Sequence, residues 1–419
     1  YIETLAFKQT GIAGETGLFP STLSFEDGTL LVATQYKDLA SPIQREIKVY
    51  RRDKDGNVTN TTVYQWQTLT GITQNAPPSL CALDDGSVLL IFPFEKDNFL
   101  SFHVYRSTDR GATFSIASLN VVDYNIEVGS GASQYLLKGI KAASCNGQVL
   151  LLVETFFNTA TNAQNRLFQF ASVDGGASFK LVTESSKLDD SAYASVNLIV
   201  RNNQFCIAYV GSLTQVQYMT LPHAFYQIQD MKASGKFEIA ATRSALAGGT
   251  DLAMSDADLC LWLDDSNDIW LAFHEHSNDW IGLCFSVDGF TFKGDQTGVN
   301  TRVLFFMDIQ ASLNHVYLKN MSAVSYLGGS VMACNFSAQT SVSGYSLTLL
   351  FLGNYSTQPS LNSRSTTREE KTPFNRKSFY YQYLPFETPP NTSEATTTGT
   401  GTENLSIANT LKVQVTSAQ

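Results

Sequence analysis

The chain has 419 residues and a formal net charge of −10, with 16% charged, 43% apolar and 12% aromatic residues, among them 27 Phe and 18 Tyr. An acidic, charge-poor chain lacks the basic face that nucleic acid or an anionic membrane surface demands, and no run of about 18 apolar residues is present to insert into a bilayer. Many aromatics over a Ser/Thr/Asn background read as strand-rich.

The sequence opens at Tyr1 with neither Met nor an apolar leader, as expected of a processed product, and Tyr1 to Lys8 is apolar and extended. A turn followed by an apolar strand then recurs. Asp27-Gly28 precedes Leu30-Leu31-Val32, Asp85-Gly86 precedes Val88-Leu89-Leu90, and Asn146-Gly147 precedes Val149-Leu150-Leu151. Asn202-Asn203 precedes Phe205-Cys206-Ile207, Asn267-Asp268 precedes Ile269-Trp270-Leu271, and Gly328-Gly329 precedes Val331-Met332. With Gly28, Gly86, Gly147, Asn203, Asp268 and Gly329 as centres, the spacings are 58, 61, 56, 65 and 61 residues. A period near 60 residues predicts repeated supersecondary units.

A second turn series lies later in the units. Ser107, Asp109, Gly111 and Phe114 share their spacing with Ser172, Asp174, Gly176 and Phe179, and Ser286, Asp288, Gly289 and Phe292 form a copy one residue shorter. The Asp accepts from backbone N–H groups a few residues on, the Gly takes positive φ, and the Phe returns to the core. Arg51 to Asn57 is a degenerate copy, and the third strands expected at Gln215 to Met219 and Ser346 to Phe351 lack the turn. The predicted fold is all-β: a six-bladed β-propeller of four-stranded antiparallel blades over residues 1–386. A sandwich of unrelated hairpins has no reason to keep the period. Either Tyr1 to Lys8 or Ser378 to Leu384 is expected to complete a blade made mostly from the other end. Between them Gln358 to Arg376 reads as a solvated polar excursion. Residues 387–404 form a Thr/Pro/Gly-rich linker, and 405–419 carry a short terminal strand for docking on a partner subunit or stalk, or on the propeller's own side.

Cys81, Cys145, Cys206, Cys260, Cys284 and Cys334 stand singly in apolar runs and read as buried small hydrophobes. Seven N-x-S/T sequons would accept glycans in a secretory setting.

The second turn series resembles the Asp boxes, or BNR repeats, of the sialidase-like propellers, S-x-D-x-G-x-[TS]-[FW]. The resemblance implies structural turns facing away from an active face. Where that family carries an arginine motif before the first strand, this chain has Gly17-Leu18-Phe19-Pro20, with Leu18 in the arginine's place. The family's Glu-Gly-Arg slot holds Gln35-Tyr36-Lys37, and Asp38 to Glu46 contains no secure acid/base counterpart. The resemblance therefore implies the fold without sialic-acid hydrolysis.

Seven residues past each turn centre the strand ends at the opposite face. Glu154 and Glu275 occupy two of these slots, Pro93, Val210 and Phe336 others, with Glu95 two beyond Pro93. Facing carboxylates are what glycoside hydrolysis needs, so Glu154 and Glu275 are the candidate catalytic pair; solvated strand ends are the other reading. His274 and His276 share one strand face but have no visible third metal ligand, so no metal is assigned. With Asn278, Trp280 and Glu95 they form a candidate ligand-binding set, whereas Trp66, Trp262 and Trp270 read as core. The dispersed Arg45, Arg166, Arg201, Arg243 and Arg302 would rebuild a carboxylate clamp only if the fold gathered them. No cofactor motif is present.

The resulting expectation is a non-hydrolytic propeller on a virion or cell surface or otherwise extracellular, such as a viral attachment protein. Its partner would be a glycan or glycosylated receptor, with a homo-oligomer or stalk contact through the terminal strand. The alternatives are a glycoside hydrolase of the same architecture and a structural assembly propeller.

Overall fold

A computed structural model of the chain describes residues 2–9, 15–37, 43–68, 76–96, 99–121, 126–127, 135–158, 163–184, 194–210, 216–220, 259–275, 280–286, 305–308, 317–337, 344–352, 402–407 and 411–416. Among these every regular element is a β-strand, and the strands form antiparallel blades in a propeller arrangement.

The N-terminal strand is β1 (Ile2–Gln9). The first four-stranded sheet contains β2 (Glu15–Ser24), β3 (Leu30–Lys37), β4 (Ile43–Arg52) and β5 (Val58–Thr68). The second contains β6 (Ser79–Ala82), β7 (Val88–Lys96), β8 (Phe99–Ser107) and β9 (Ser115–Val121). The third contains β10 (Tyr135–Cys145), β11 (Gln148–Asn158), β12 (Ala163–Ser172) and β13 (Lys180–Glu184). The fourth has three strands among the described residues, β14 (Ala194–Arg201), β15 (Gln204–Val210) and β16 (Val216–Thr220). The fifth contains β17 (Leu259–Leu263), β18 (Ile269–Glu275), β19 (Trp280–Ser286) and β20 (Phe305–Asp308). The sixth contains β21 (Tyr317–Tyr326), β22 (Gly329–Ser337) and β23 (Gly344–Leu352), and β1 pairs antiparallel with β23 to complete it. Ser378 to Leu384, the other segment expected to close a blade, lies outside the described residues. The first strands β2, β6, β10, β14, β17 and β21 each pack against the next, and β21 returns to β2, so the sheets surround a common axis.

The unbroken apolar runs follow from this arrangement. Each second strand is buried on both faces, and alternate side chains enter different cores. Leu31 and Ala33 join the cluster with Val88, Leu90 and Phe92 between the first and second sheets, while Leu30 and Val32 join Val331, Leu347 and Leu349 toward the sixth. Leu89 and Ile91 pack with Val149, Leu151 and Val153, whereas Leu150 and Leu152 pack with Phe205 and Ile207. Full burial of each such side chain contributes about 1.5–3 kcal/mol before conformational entropy is offset. Cys81, Cys145, Cys206, Cys260 and Cys334 are free thiols buried in these layers. Trp262 and Trp270 are buried and stacked 6.1 Å apart.

The turns at one end are tied by their own side chains. Asp109 Oδ1 accepts from the Thr113 N–H at 2.8 Å and from the Ser107 hydroxyl at 2.7 Å, and Ser107 Oγ accepts from the Gly111 N–H at 2.8 Å. Asp174, Ser172, Gly176 and Ser178 repeat this network. In the degenerate copy Asn57 takes the hydroxyl residue's place, its N–H and side-chain amide donating to Asp53. Burial opposes ionisation of Asp109, but hydrogen bonds from Thr113 and Ser107 hold its carboxyl down at about 2. Phe179 is buried and Phe114 packs partly buried against the cluster between the first two sheets. Of the shorter copy, Asp288, Gly289 and Phe292 lie outside the described residues, and Ser286 ends β19.

Three sequence expectations change. In the sixth sheet Leu327 and Gly328 carry the positive φ angles, 49° and 81°, so the turn centre is Gly328 rather than Gly329, one residue earlier. In the fifth sheet Asn267 carries the positive φ, 63°, and its N–H donates to the Asp264 carbonyl as that of Gly28 does to Phe25, so the centre is Asn267 rather than Asp268. The terminal segment is a hairpin rather than a lone strand: β24 (Thr402–Ile407) pairs with β25 (Leu411–Thr416), because Thr402 to Asn404, assigned to the linker, extend the first strand.

Candidate functional site: the bulged mouth of the ring

In an antiparallel four-stranded blade the turns after the first and third strands share one end. The seventh residues of the second strands therefore stand at the other end, around the mouth of the central channel. The first strands are irregular at that level. Register shifts interrupt β2 on both sides of Leu18, β10 between Leu137 and Gly139, β14 between Ala194 and Asn197, and β21 between Leu318 and Asn320. Bulges re-aim side chains and concentrate at rims and beside functional sites.

With the sixth turn centred on Gly328, its seventh residue is Asn335, not Phe336. Gln35 pairs with Leu18, Glu154 with Gly139 and Asn335 with Asn320. Gln35 and Asn335 are 0% exposed and Glu154 is 9% exposed. Their neighbourhood is spent on joining one sheet to the next. Gln35 Oε1 accepts from the Ala76 N–H at 2.6 Å, Glu154 Oε2 from the Val196 N–H at 3.2 Å, and Asn320 Oδ1 from the Phe19 N–H at 3.1 Å. Hydroxyls on the first strands do the same one level down: Ser322 Oγ accepts from Thr22 N–H at 3.1 Å, Ser21 from Leu80 at 2.9 Å and Ser79 from Ala142 at 2.9 Å.

The other candidates are placed as follows. Leu18, in the slot of the family's arginine, is buried. With the fifth turn centred on Asn267, its seventh residue is His274 and not Glu275, which lies one position beyond; by backbone His274 pairs with Ile281 and Glu275 with Trp280 on β18 and β19. Glu95 pairs with Leu100 on β7 and β8, while His276 and Asn278 lie outside the described residues. Among the described residues no three metal-ligating side chains come together. Arg45 is fully buried at the mouth end of β4, where burial pulls its guanidinium down to about 10. Arg201 lies at the opposite, turn end and donates to the Asn267 carbonyl at 3.0 Å. These two cannot share a clamp. Arg166 sits on β12 opposite Thr155, and Arg243 and Arg302 lie outside the described residues.

A cluster the sequence reading passed over fills the seam between the first two sheets near the mouth. His103 is 6% exposed, its ring 4.7 Å from Tyr64, 4.3 Å from Phe94 and 5.2 Å from Phe92, and its Nδ1 has no hydrogen-bond partner among the described residues. Tyr64 and Tyr105 border that seam, and burial raises both phenols. Burial pushes His103 from 6.5 down to about 4. The unfolded chain then takes up a proton that the fold excludes, so this contribution to stability is complete above pH about 6.5 and is lost as pH falls to about 4. Denaturation midpoints measured from pH 7 to 4 are expected to fall in the wild type and to fall less in His103→Phe.

No family model matches the chain, and no curated protein matches it. Among solved structures it is similar to a protein of unknown function from Dyadobacter fermentans, with a TM-score of 0.53 and 12% identity over 84% of this chain and 99% of that one. It is also similar to the α-L-arabinanase of Penicillium chrysogenum complexed with arabinobiose, with a TM-score of 0.49 and 13% identity over 83% and 98%. The Trypanosoma rangeli sialidase gives a TM-score of 0.49 and 9% identity over 84% of this chain and 56% of that one. At these identities the likeness shows the propeller fold and leaves the chemistry to the residues.

Proposed function

We propose that the chain is a six-bladed, Asp-box propeller that binds a glycan or glycosylated receptor at the bulged mouth and does not hydrolyse it, displayed at a virion or cell surface and joined to a partner through its terminal hairpin. One observation carries this reading. Glu154, the described member of the carboxylate pair, is buried and holds the Val196 N–H of the adjacent sheet, which is the work of a fastener rather than of an acid or nucleophile facing substrate. Buried Leu18 in the arginine slot and Arg201 at the far end speak against a sialic-acid clamp. The mouth nevertheless keeps what recognition uses: an irregular rim, the partly exposed amide of Asn320 and the partly exposed ring of Phe19. Binding to an array of neutral and sialylated oligosaccharides tests the proposal. Retention of one structural class supports it, and no retention at all by the folded full-length chain rejects it.

A further inference from the structure

Among the described residues of the innermost strands, Phe19 combines a strained backbone with a side chain outside the apolar clusters flanking its sheet. Its φ is +51°, a region that a bulky side chain rarely occupies, and Pro20 follows it, which disfavours helical backbone at the preceding position still further. Such a conformation costs about 1–3 kcal/mol and persists only when its surroundings over-determine it. Here they do: register shifts flank Leu18 on both sides, and Asn320 Oδ1, reaching from the sixth sheet, accepts the Phe19 N–H at 3.1 Å.

Glycine would serve that backbone at no steric cost. The ring must therefore do something else, and it does not build the core. Phe19 belongs to neither apolar cluster flanking the first sheet, although Leu23 and Phe25 of the same segment do, and it makes no ring-to-ring contact among the described residues. Leu18 and Pro20 on either side are buried while Phe19 is partly exposed. β2 is an innermost strand, and Phe19 lies at its mouth end beside Leu18, which pairs with Gln35.

We infer that Phe19 is a ligand-contacting platform that stacks against the apolar C–H face of a sugar ring, held out by a strained backbone that the bulge and Asn320 fix in place. The inference rests on the glycan reading above and names the residue and the ligand surface it uses. An aromatic face offers a flat apolar area whose order is already established before binding, so little entropy is lost on contact. Neutral pyranoses and furanoses present the matching surface, whereas the axial charge of a sialic acid would find no described arginine beside this ring.

The test compares wild type with Phe19→Gly and Phe19→Tyr, using thermal unfolding and titration with the best-retained oligosaccharide of the array. Phe19→Gly relieves the backbone strain, so its melting temperature is expected to equal or exceed that of the wild type while affinity falls about tenfold or more; Phe19→Tyr keeps both. A large drop in melting temperature for Phe19→Gly with unchanged affinity overturns the inference and makes the residue structural. Unchanged affinity at unchanged stability overturns it too. If no oligosaccharide binds the wild type, the glycan reading itself fails and this inference with it.

Discussion

Alanine at Gly111 is expected to destabilise the protein by about 2–4 kcal/mol, well beyond the conformational penalty of a non-glycine residue at positive φ. Gly111 has φ +78°, and a Cβ built on it would clash with Leu31 Cδ1 and meet Cδ2 at 2.6 Å. Leu31 is 0% exposed in the cluster between the first two sheets, so giving way would press it into its packed neighbours. Gly176 of the third sheet repeats the relation, its virtual Cβ 2.6 Å from Leu89 Cδ1 of the second. The turn glycine of one blade is therefore a seat for a core leucine of the blade before it. Gly86 supplies the control, since it has φ +81° and nothing within 4 Å of a Cβ. Gly86→Ala should cost only about 1 kcal/mol. Equal losses for Gly86→Ala, Gly111→Ala and Gly176→Ala in urea titrations would show that the backbone alone makes these turns glycine.

The second large effect is expected at Glu154. Glu154→Ala strands the N–H of Val196, a residue 4% exposed, and opens space beside Gly139, at an expected cost of about 1–3 kcal/mol for the buried donor alone. Glu154→Gln keeps an acceptor at the same place and should lose less than half of that. Amide exchange localises the effect: protection is expected to fall at β14 in Glu154→Ala while β3 and β7 keep theirs. A uniform loss across all sheets, or no loss, would contradict the fastener role.

The architecture was legible because it is repeated. A turn and a doubly buried strand recur every 60 residues or so, and the Asp turns recur with their whole hydrogen-bond set, so both signals survive without knowledge of any long-range contact. The mouth was legible only as a level on the strands. Gln35 and Glu154 were placed there by counting, but their partners are Ala76, just before β6, and Val196 on β14, and nothing local marks those residues as donors. Asn320 and Phe19 are separated by 301 residues and meet only because the ring closes. The sixth slot was misassigned because Gly328-Gly329 offers two glycines and only the φ angles choose between them. Arg201 was legible at the turn end because it directly precedes Asn202-Asn203, whereas nothing local marks Arg45 as fully buried at the other end.

The most direct test of the central claim is hydrolysis of a panel of aryl glycosides, pentofuranosides and sialosides included, by the full-length wild type and by Glu154→Gln at matched fold stability. The account predicts no turnover above the uncatalysed rate for either protein, with oligosaccharide binding retained by both. Turnover by the wild type that disappears in Glu154→Gln while the melting temperature and binding stay unchanged would make Glu154 a catalytic residue and contradict it.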